Sequence, residues 1–214
     1  YDGCGTLTGR MKIVEDQATD LGFPDVYMAC DRYYLDNVKD WFQEDIDVSD
    51  TEIVLVVPKD SDKVKSLGDL VKPDIRVAVG EADQCTLGAL TRRLLSHEEV
   101  YEKLKEKQTT DGEVVVEKAS SALIIPDVTA GHVDAGIAYI TDAQANAHKV
   151  DIIRIESKLN LAVQPFSIAK TSVHKYLVRR LFERIAASKD EFEKAGFNFR
   201  LDEKPEEDKP TATD

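Results

Sequence analysis

Residues 75–95 read IRVAVGEADQCTLGALTRRLL, and this stretch decides the fold class of the chain. Its first five residues are rich in β-branched side chains and stop before Gly80, which is typical of a short buried strand that ends at a turn. After the polar residues 81–84, leucines recur at helical spacing, as Leu87, Leu90, Leu94 and Leu95. The stretch therefore predicts a strand, a turn and a helix in direct succession.

The start of the predicted helix is a candidate anion site. The first turn of a helix leaves backbone N–H groups without acceptors, and the helix dipole favours negative charge there. These N–H groups belong to residues 85–88, and Thr86 adds a hydroxyl donor. Gly88 has no side chain, so a small anion could approach the backbone closely. Every strand–helix unit has such a helix start, so one alone is weak evidence for an anion site. The prediction becomes stronger if similar helix starts recur elsewhere in the chain.

A second opening lies at the beginning of the chain. Residues 1–6 read YDGCGT, and apolar residues then follow at helical spacing. Either this is a plain helix start, or the N–H groups of residues 4–6 and the Cys4 side chain face a ligand. A thiol pKa tends to fall at a helix N-terminus, so a reactive cysteine is a further alternative. The sequence offers no paired histidine, which disfavours nucleophilic catalysis.

A third opening precedes the apolar segment 122–128, in which Pro126 should kink or shorten a helix. Ser120 or Ser121 is a natural N-cap, and capping is the favoured interpretation. The alternative is that the hydroxyl and N–H groups face the same ligand. Residues 134–139 read DAGIAY and predict a strand that ends at Tyr139. Ligands bind at such strand ends in doubly wound folds, although a core tyrosine is an equal alternative.

Strands alternate with helices along the rest of the chain, which predicts an α/β fold with mainly parallel sheets. Further strands are expected at 25–29, 52–57, 114–116, 152–155 and 161–169. An apolar stripe predicts a long helix through Val173, Leu177, Leu181 and Ile185. Residues 200–214 are polar and contain proline, so a disordered tail is expected.

Composition narrows the classes of partner. The formal net charge of −13 argues against nucleic acid, which needs a basic surface. A small anion is still compatible, because local N–H dipoles act at contact range. The residues given contain neither an apolar run of membrane-spanning length nor a signal peptide. The first residue is Tyr1 rather than Met, so we expect a processed or incomplete chain.

The cysteines and histidines do not predict a metal site or a disulfide framework. The three cysteines, Cys4, Cys30 and Cys85, are odd in number and lack metal-ligand spacing. Cys30 follows an apolar strand and is interpreted as a small buried residue. The four histidines are scattered without a metal-binding motif.

Six segments, in this order, resemble a known family: GCGTL (3–7), PDVYMACD (24–31), EIVLVVPKDS (52–61), CTLGALT (85–91), DAGIAY with TDA (134–143) and FEKAGFNF (192–199). From residue 3 to about residue 199 the chain resembles molybdate-type substrate-binding proteins of ABC transporters, which have the type II periplasmic-binding-protein fold. The resemblance implies two lobes, with sheets flanked by helices, that close on a tetrahedral oxyanion. Backbone N–H groups and hydroxyls hold the anion in this family, without a cationic side chain or a cofactor.

The resemblance also implies the ligand residues by position. Cys4 stands where the family usually has a ligand serine, beside Gly5 and Thr6. Leu87, next to Gly88, falls at a backbone donor of the central helix start. Ser121, beside Ser120, falls at a donor of another helix start, and the Tyr139 hydroxyl completes the shell. Since a thiol is a poor donor, Cys4 is a departure that can change affinity or ion preference.

A second departure concerns the first lobe. Family members carry a strand–helix–strand ahead of the glycine-rich loop, including one more hydroxyl ligand. This lobe is therefore expected to be incomplete, either because the chain is a fragment or because a second copy fills the gap in a strand-exchanged homodimer. The implied lobes are residues 1–57 with 165–199, and residues 58–164, followed by the tail 200–214.

The favoured function is an extracytoplasmic or periplasmic, non-enzymatic binding protein. It would capture molybdate or tungstate, with sulfate as a further candidate ion, for an ABC permease in the membrane. The alternative is the ligand-sensing effector domain of a transcription regulator with the same fold. An enzyme is disfavoured, because no acid–base pair is identifiable in the sequence.

Overall fold

Helices and strands alternate along the chain, as the apolar periodicity predicts. The structure, a computed structural model, describes residues 3–16 and 22–202, so most of the predicted polar tail lies outside the described residues. The helices are α1 (Cys4–Asp16), α2 (Arg32–Asp36), α3 (Thr86–His97), α4 (Tyr101–Gln108), α5 (Ile124–Thr129), α6 (Ile140–Ala145), α7 (Lys175–Ala186) and α8 (Lys189–Lys194). The strands are β1 (Val26–Met28), β2 (Phe42–Pro58), β3 (Val77–Gly80), β4 (Val115–Lys118), β5 (Ala135–Tyr139), β6 (Val150–Arg154), β7 (Leu161–Ala169) and β8 (Asn198–Phe199). Short 3-10 turns cover Lys39–Trp41, Leu67–Val71 and Ser121–Leu123.

Strand β2 is the longest described element and lies in the middle of the sheet, whose order is β1-β7-β2-β5-β3-β4. Strands β6 and β8 also pair with β2. Its first part pairs with β7, up to the pair of Glu52 with Leu161. Its second part pairs with β5 and β6, starting at the pair of Ile53 with Tyr139. Residues 53–57 are buried, which explains why this half of the strand is an uninterrupted apolar run.

The pairing directions correct one part of the predicted fold class. The α/β class, with a sheet flanked by helices, is confirmed. The expectation of mainly parallel sheets is wrong, because among the described strands only the pairs β3–β4 and β3–β5 are parallel. The pairs β1–β7, β2–β5, β2–β6, β2–β7 and β2–β8 are antiparallel. Apolar periodicity reports which residues are buried, whereas strand direction depends on partners distant in sequence.

The buried side chains form separate hydrophobic cores. The largest joins the β3–α3 unit to the second half of β2, and the predicted leucine stripe of α3 is buried in it. Two smaller cores lie around α1, β1 and α2, and around β7, α7 and β8. The lobe boundaries near residues 57 and 165 stay a prediction. None of the helices in the described ranges has the length and apolar character needed to span a bilayer.

Helix α7 buries a different face from the one that the predicted apolar stripe indicates. Leu177 and Leu181 are 58% and 48% exposed, whereas Val178 is buried and Phe182 packs on the same core. The inward face is therefore offset by one residue from the predicted stripe, of which Ile185 alone packs on this core. An apolar surface consequently remains on the outer side of α7 in the part of the chain that the structure describes.

Candidate functional site

The starts of α1 and α3 and the end of β5 line one cavity of ≈ 400 Å³. The two helix starts deliver the same kind of group, because the first N–H groups of a helix lack acceptors within the helix. The cavity is lined by Gly3, Cys4, Thr6, Cys30, Gln84, Cys85, Thr86, Leu87, Ala119, Ser120, Ser121 and Tyr139. None of these residues is a carboxylate or a basic residue, so the walls are polar without an Asp, Glu, Lys or Arg side chain.

Most of the predicted site residues meet at this cavity, and two do not. Those that line it are Cys4, Thr6, Thr86, Leu87, Ser120, Ser121 and Tyr139. Gly5 instead packs against the turn before α3, where an added Cβ atom would lie 3.3 Å from the Asp83 carbonyl oxygen. The start of α1 thus touches the turn that opens α3, and this contact brings the two helix starts together.

Gly88 also lies outside the cavity wall, for a reason that the sequence interpretation missed. A Cβ atom there would overlap the Glu81 carbonyl and lie 2.6 Å from the Gly80 carbonyl carbon. Its N–H donates to the Cys85 thiol, which caps α3 at 3.4 Å. Gly88 therefore allows α3 to pack against the end of β3, and its predicted role of admitting an anion has no support in its position.

The serines before α5 are placed differently from the favoured expectation. Ser120 occupies the N-cap position of the 3-10 turn, but its side chain makes no capping hydrogen bond. The turn is closed by the backbone instead, because the Leu123 N–H donates to the Ser120 carbonyl at 3.2 Å. Ser120 lines the cavity and its side chain is not used in capping, which leaves the alternative interpretation of ligand contact.

Tyr139 brings a buried hydroxyl to the cavity. It is the last residue of β5 and is held in place by pairing with Ile53 of β2. Its oxygen is buried and has no hydrogen-bond partner among the described residues. Burial raises the pKa of this phenol well above its ordinary value, so the hydroxyl keeps its proton at neutral pH. A buried donor without an acceptor is costly unless a ligand supplies one.

All three cysteines line the same cavity, which the sequence did not predict. The Cys4 and Cys30 sulfur atoms lie 2.9 Å apart, and the Cys30 N–H donates to the Cys4 sulfur at 3.2 Å. Cys30 is exposed, so its interpretation as a buried core residue is wrong. Its position at the end of a predicted strand, like that of Tyr139, was the available signal.

The contact between the two thiols shifts their pKa values in opposite directions. The side-chain hydrogen bond between Cys4 and Cys30 is the main cause that lowers the pKa of Cys4 to about 6. The same contact raises the pKa of Cys30, and burial raises the pKa of Cys85. The fall at Cys4 was anticipated from its helix start, but its main cause is the neighbouring thiol. In the described ranges no group of three or more His, Cys, Asp or Glu side chains is arranged to hold a metal ion.

A larger cavity of ≈ 650 Å³ lies beside β6 and has a different chemistry. Its walls carry the carboxylates Glu98, Glu99 and Glu156 as well as basic side chains. Carboxylates would repel an anion at contact range. The cavity at the helix starts has no carboxylate in its wall and is therefore the better candidate for an anion.

Comparison with known proteins now identifies the family. The model of the family described as "Bacterial extracellular solute-binding protein" matches residues 9–198. The chain belongs to this family. The match includes the start of α3, the serines before α5 and Tyr139, so most of the cavity wall lies within the family region of this solute-binding protein.

A curated relative agrees with this assignment. The chain is 31% identical over 152 residues to "Putative ABC transporter substrate-binding lipoprotein YvgL" of Bacillus subtilis (strain 168). The match covers 68% of this chain and 55% of the relative, so the chain spans about half the length of that protein.

Solved structures share the fold. The periplasmic molybdate-binding protein of Azotobacter vinelandii superposes with a TM-score of 0.69 at 15% identity, covering 92% of this chain and 84% of that one. The sulfate-binding protein SubI of Mycobacterium tuberculosis H37Rv superposes with a TM-score of 0.68 at 15% identity, covering 94% and 75%. At these identities the likeness shows a periplasmic-binding-protein fold, as the sequence resemblance predicted.

Proposed function

We propose that this solute-binding protein captures a tetrahedral oxyanion, molybdate or tungstate, in the cavity between the starts of α1 and α3. The observation that carries the proposal is Tyr139, a residue of the cavity wall whose buried hydroxyl has no hydrogen-bond partner among the described residues. An oxyanion supplies the acceptor that this hydroxyl lacks, which offsets the cost of burying it.

The remaining wall is suited to a dianion. Two helix starts direct N–H dipoles to one place, and Thr6, Thr86, Ser120 and Ser121 add hydroxyl groups. Neutral dipoles replace the hydration of an anion without introducing a cation that would also attract other acids. Fully deprotonated oxyanions fit donors alone, whereas phosphate at neutral pH carries a proton that needs an acceptor. We therefore expect molybdate and tungstate to bind and phosphate to be excluded.

Thermal unfolding and titration calorimetry on the full chain test the proposal, with molybdate, tungstate, sulfate and phosphate as separate probes. At an oxyanion concentration about 100 times Kd, binding stabilises the folded state by about 2.7 kcal/mol, which for this size raises Tm by about 5–10 °C. We expect this shift with molybdate and tungstate and none with phosphate. Absence of heat with molybdate, tungstate and sulfate alike would refute the assignment.

The partner that follows from this function is an ABC permease in the membrane, to which the extracytoplasmic protein delivers its ligand. The family description and the B. subtilis relative support this role over the effector domain of a transcription regulator. The strand-exchanged homodimer stays a prediction. Sedimentation of the full chain tests it, because a monomer at micromolar concentration would contradict it.

A further inference from the structure

Cys4 and Cys30 form a pair that oxyanion capture does not require. Their sulfur atoms lie 2.9 Å apart on the cavity wall, and Cys30 is exposed while Cys4 is 2% exposed. We propose that Cys4 and Cys30 form a reversible disulfide that raises the affinity of the cavity for oxyanions. This inference rests on the proposed function, because it concerns the regulation of the same cavity.

The geometry favours this pair over the third cysteine. A disulfide requires the two sulfur atoms to be about 2.05 Å apart, so the Cys4 and Cys30 side chains need to approach by roughly 0.9 Å. Cys4 is the first residue of α1, and Cys30 follows the end of β1, so both lie at element ends rather than in their interiors. Cys85 is engaged as the cap of α3, where its sulfur accepts the Gly88 N–H.

The chemistry is a thiol–disulfide exchange with an external disulfide of the kind found in oxidising, extracytoplasmic compartments. The Cys4 thiolate takes the proton of the Cys30 thiol 2.9 Å away, and the exposed Cys30 sulfur attacks the external disulfide, which releases one thiol and forms a mixed disulfide. The Cys4 sulfur then attacks Cys30, which releases the second thiol and forms the Cys4–Cys30 bond. The protein loses two electrons and two protons, and the external disulfide gains them as two thiols.

The direction of the effect follows from charge. With the pKa of Cys4 lowered to about 6, the reduced cavity carries a thiolate at neutral pH, next to the place of a dianion. The titratable groups that face Cys4 have raised pKa values and stay neutral, namely Cys30, Tyr27, Tyr34, Cys85 and Tyr139. The buried Asp31 carboxylate, next to Cys30, accepts hydrogen bonds from the backbone N–H groups of Tyr33 and Val163.

Oxidation removes this negative charge and leaves the main donors in place. The Cys4 and Cys30 sulfur atoms already engage each other at 2.9 Å in the reduced state, so the disulfide takes away little that a ligand would use. If the dianion binds only when Cys4 carries no charge, the reduced protein must take up a proton to bind it. With a pKa of about 6, the reduced protein then binds about 100-fold more weakly at pH 8, but nearly as tightly at pH 5.

The first test asks whether the disulfide forms. The full chain is incubated with oxidised glutathione, blocked with an alkylating agent and digested for mass spectrometry. We expect a peptide pair linked through Cys4 and Cys30 with the loss of two hydrogens, reversed by dithiothreitol. Cys85→Ser should still form the link, and Cys30→Ser should not. A chain that keeps both thiols reduced, or links Cys85 instead, would overturn the proposal.

The second test compares molybdate affinity of the reduced and oxidised chains by calorimetry at about pH 5 and pH 8. We expect oxidation to tighten binding about 100-fold at pH 8 and less than twofold at pH 5. A linked protein with unchanged affinity at pH 8 would refute the control of affinity while leaving oxyanion binding intact. If neither form takes up molybdate, tungstate or sulfate at either pH, the proposed function itself fails.

Discussion

Replacement of Tyr139 by phenylalanine should make the protein more stable and a weaker binder. The Tyr139 oxygen is buried without a partner among the described residues, and such a group costs about 1–3 kcal/mol. Tyr139→Phe removes that cost, so we expect the free energy of unfolding without ligand to rise by about 1–2 kcal/mol and Tm by about 2–8 °C. The same change deletes a hydrogen bond to a charged oxyanion, worth about 1.5–3 kcal/mol, so Kd should increase roughly 10- to 150-fold.

The assay combines urea unfolding without ligand and calorimetric titration with molybdate. Both are done below pH 6, where Cys4 keeps its proton. Thr91→Val is the matched control, because Thr91 also has a buried hydroxyl without a partner but lies away from the cavity. It should gain stability as Tyr139→Phe does, with Kd unchanged. A Tyr139→Phe protein that binds molybdate as tightly as the parent would refute the assignment of this phenol. A loss of stability would show that the hydroxyl is satisfied before ligand binds.

Three further outcomes follow from groups in and around the site. In the reduced protein, molybdate affinity should fall up to tenfold per pH unit above pH 6, the approximate pKa of Cys4. Cys4→Ser should abolish this pH dependence in calorimetry. A pH dependence that persists in Cys4→Ser would contradict the role of the Cys4 charge. Buried Asp134 accepts a hydrogen bond from Arg76 at 2.9 Å, which keeps its pKa well below the ordinary value of 3.8. Asp134→Asn should therefore lower the free energy of unfolding in urea by about 2–4 kcal/mol near pH 7, a difference that shrinks as pH falls below about 4, when Asp134 of the unfolded chain begins to take up a proton. Gly88→Ala should cost about 2–4 kcal/mol through backbone overlap, while Gly9→Ala in α1, with open space around it, should gain about 0.5–1 kcal/mol.

Local patterns predicted the parts of the site that depend on short stretches of chain. The strand, turn and helix of residues 75–97 form where the change from β-branched residues to helical leucine spacing places them. Tyr139 ends its strand at the cavity as expected, because a strand end is visible in sequence. These features depend on residues within one or two turns of each other, which periodicity records directly.

Features that depend on distant partners were not predictable. The contact between Cys4 and Cys30 joins the start of one helix to the end of a strand 26 residues later. Residues 42–52 of β2 are too polar to show strand alternation, although they pair with β7 over most of their length. Lys107 is a residue type that usually lies in solvent, yet it is 6% exposed and its Nζ donates to the Ile75 carbonyl at 2.6 Å. In each case the stabilising partner is far away in sequence, so no local signal exists.

The change of partners along β2 has a mechanical consequence for ligand capture. Glu52 is the last residue of β2 that pairs with β7, and Ile53, which follows it, pairs with Tyr139. A bend of the strand at this step would displace the Tyr139 backbone, so the phenol that we propose binds the anion would move with it. Substitutions at positions 52 and 53 would then tune how fast the anion is released without altering a single donor.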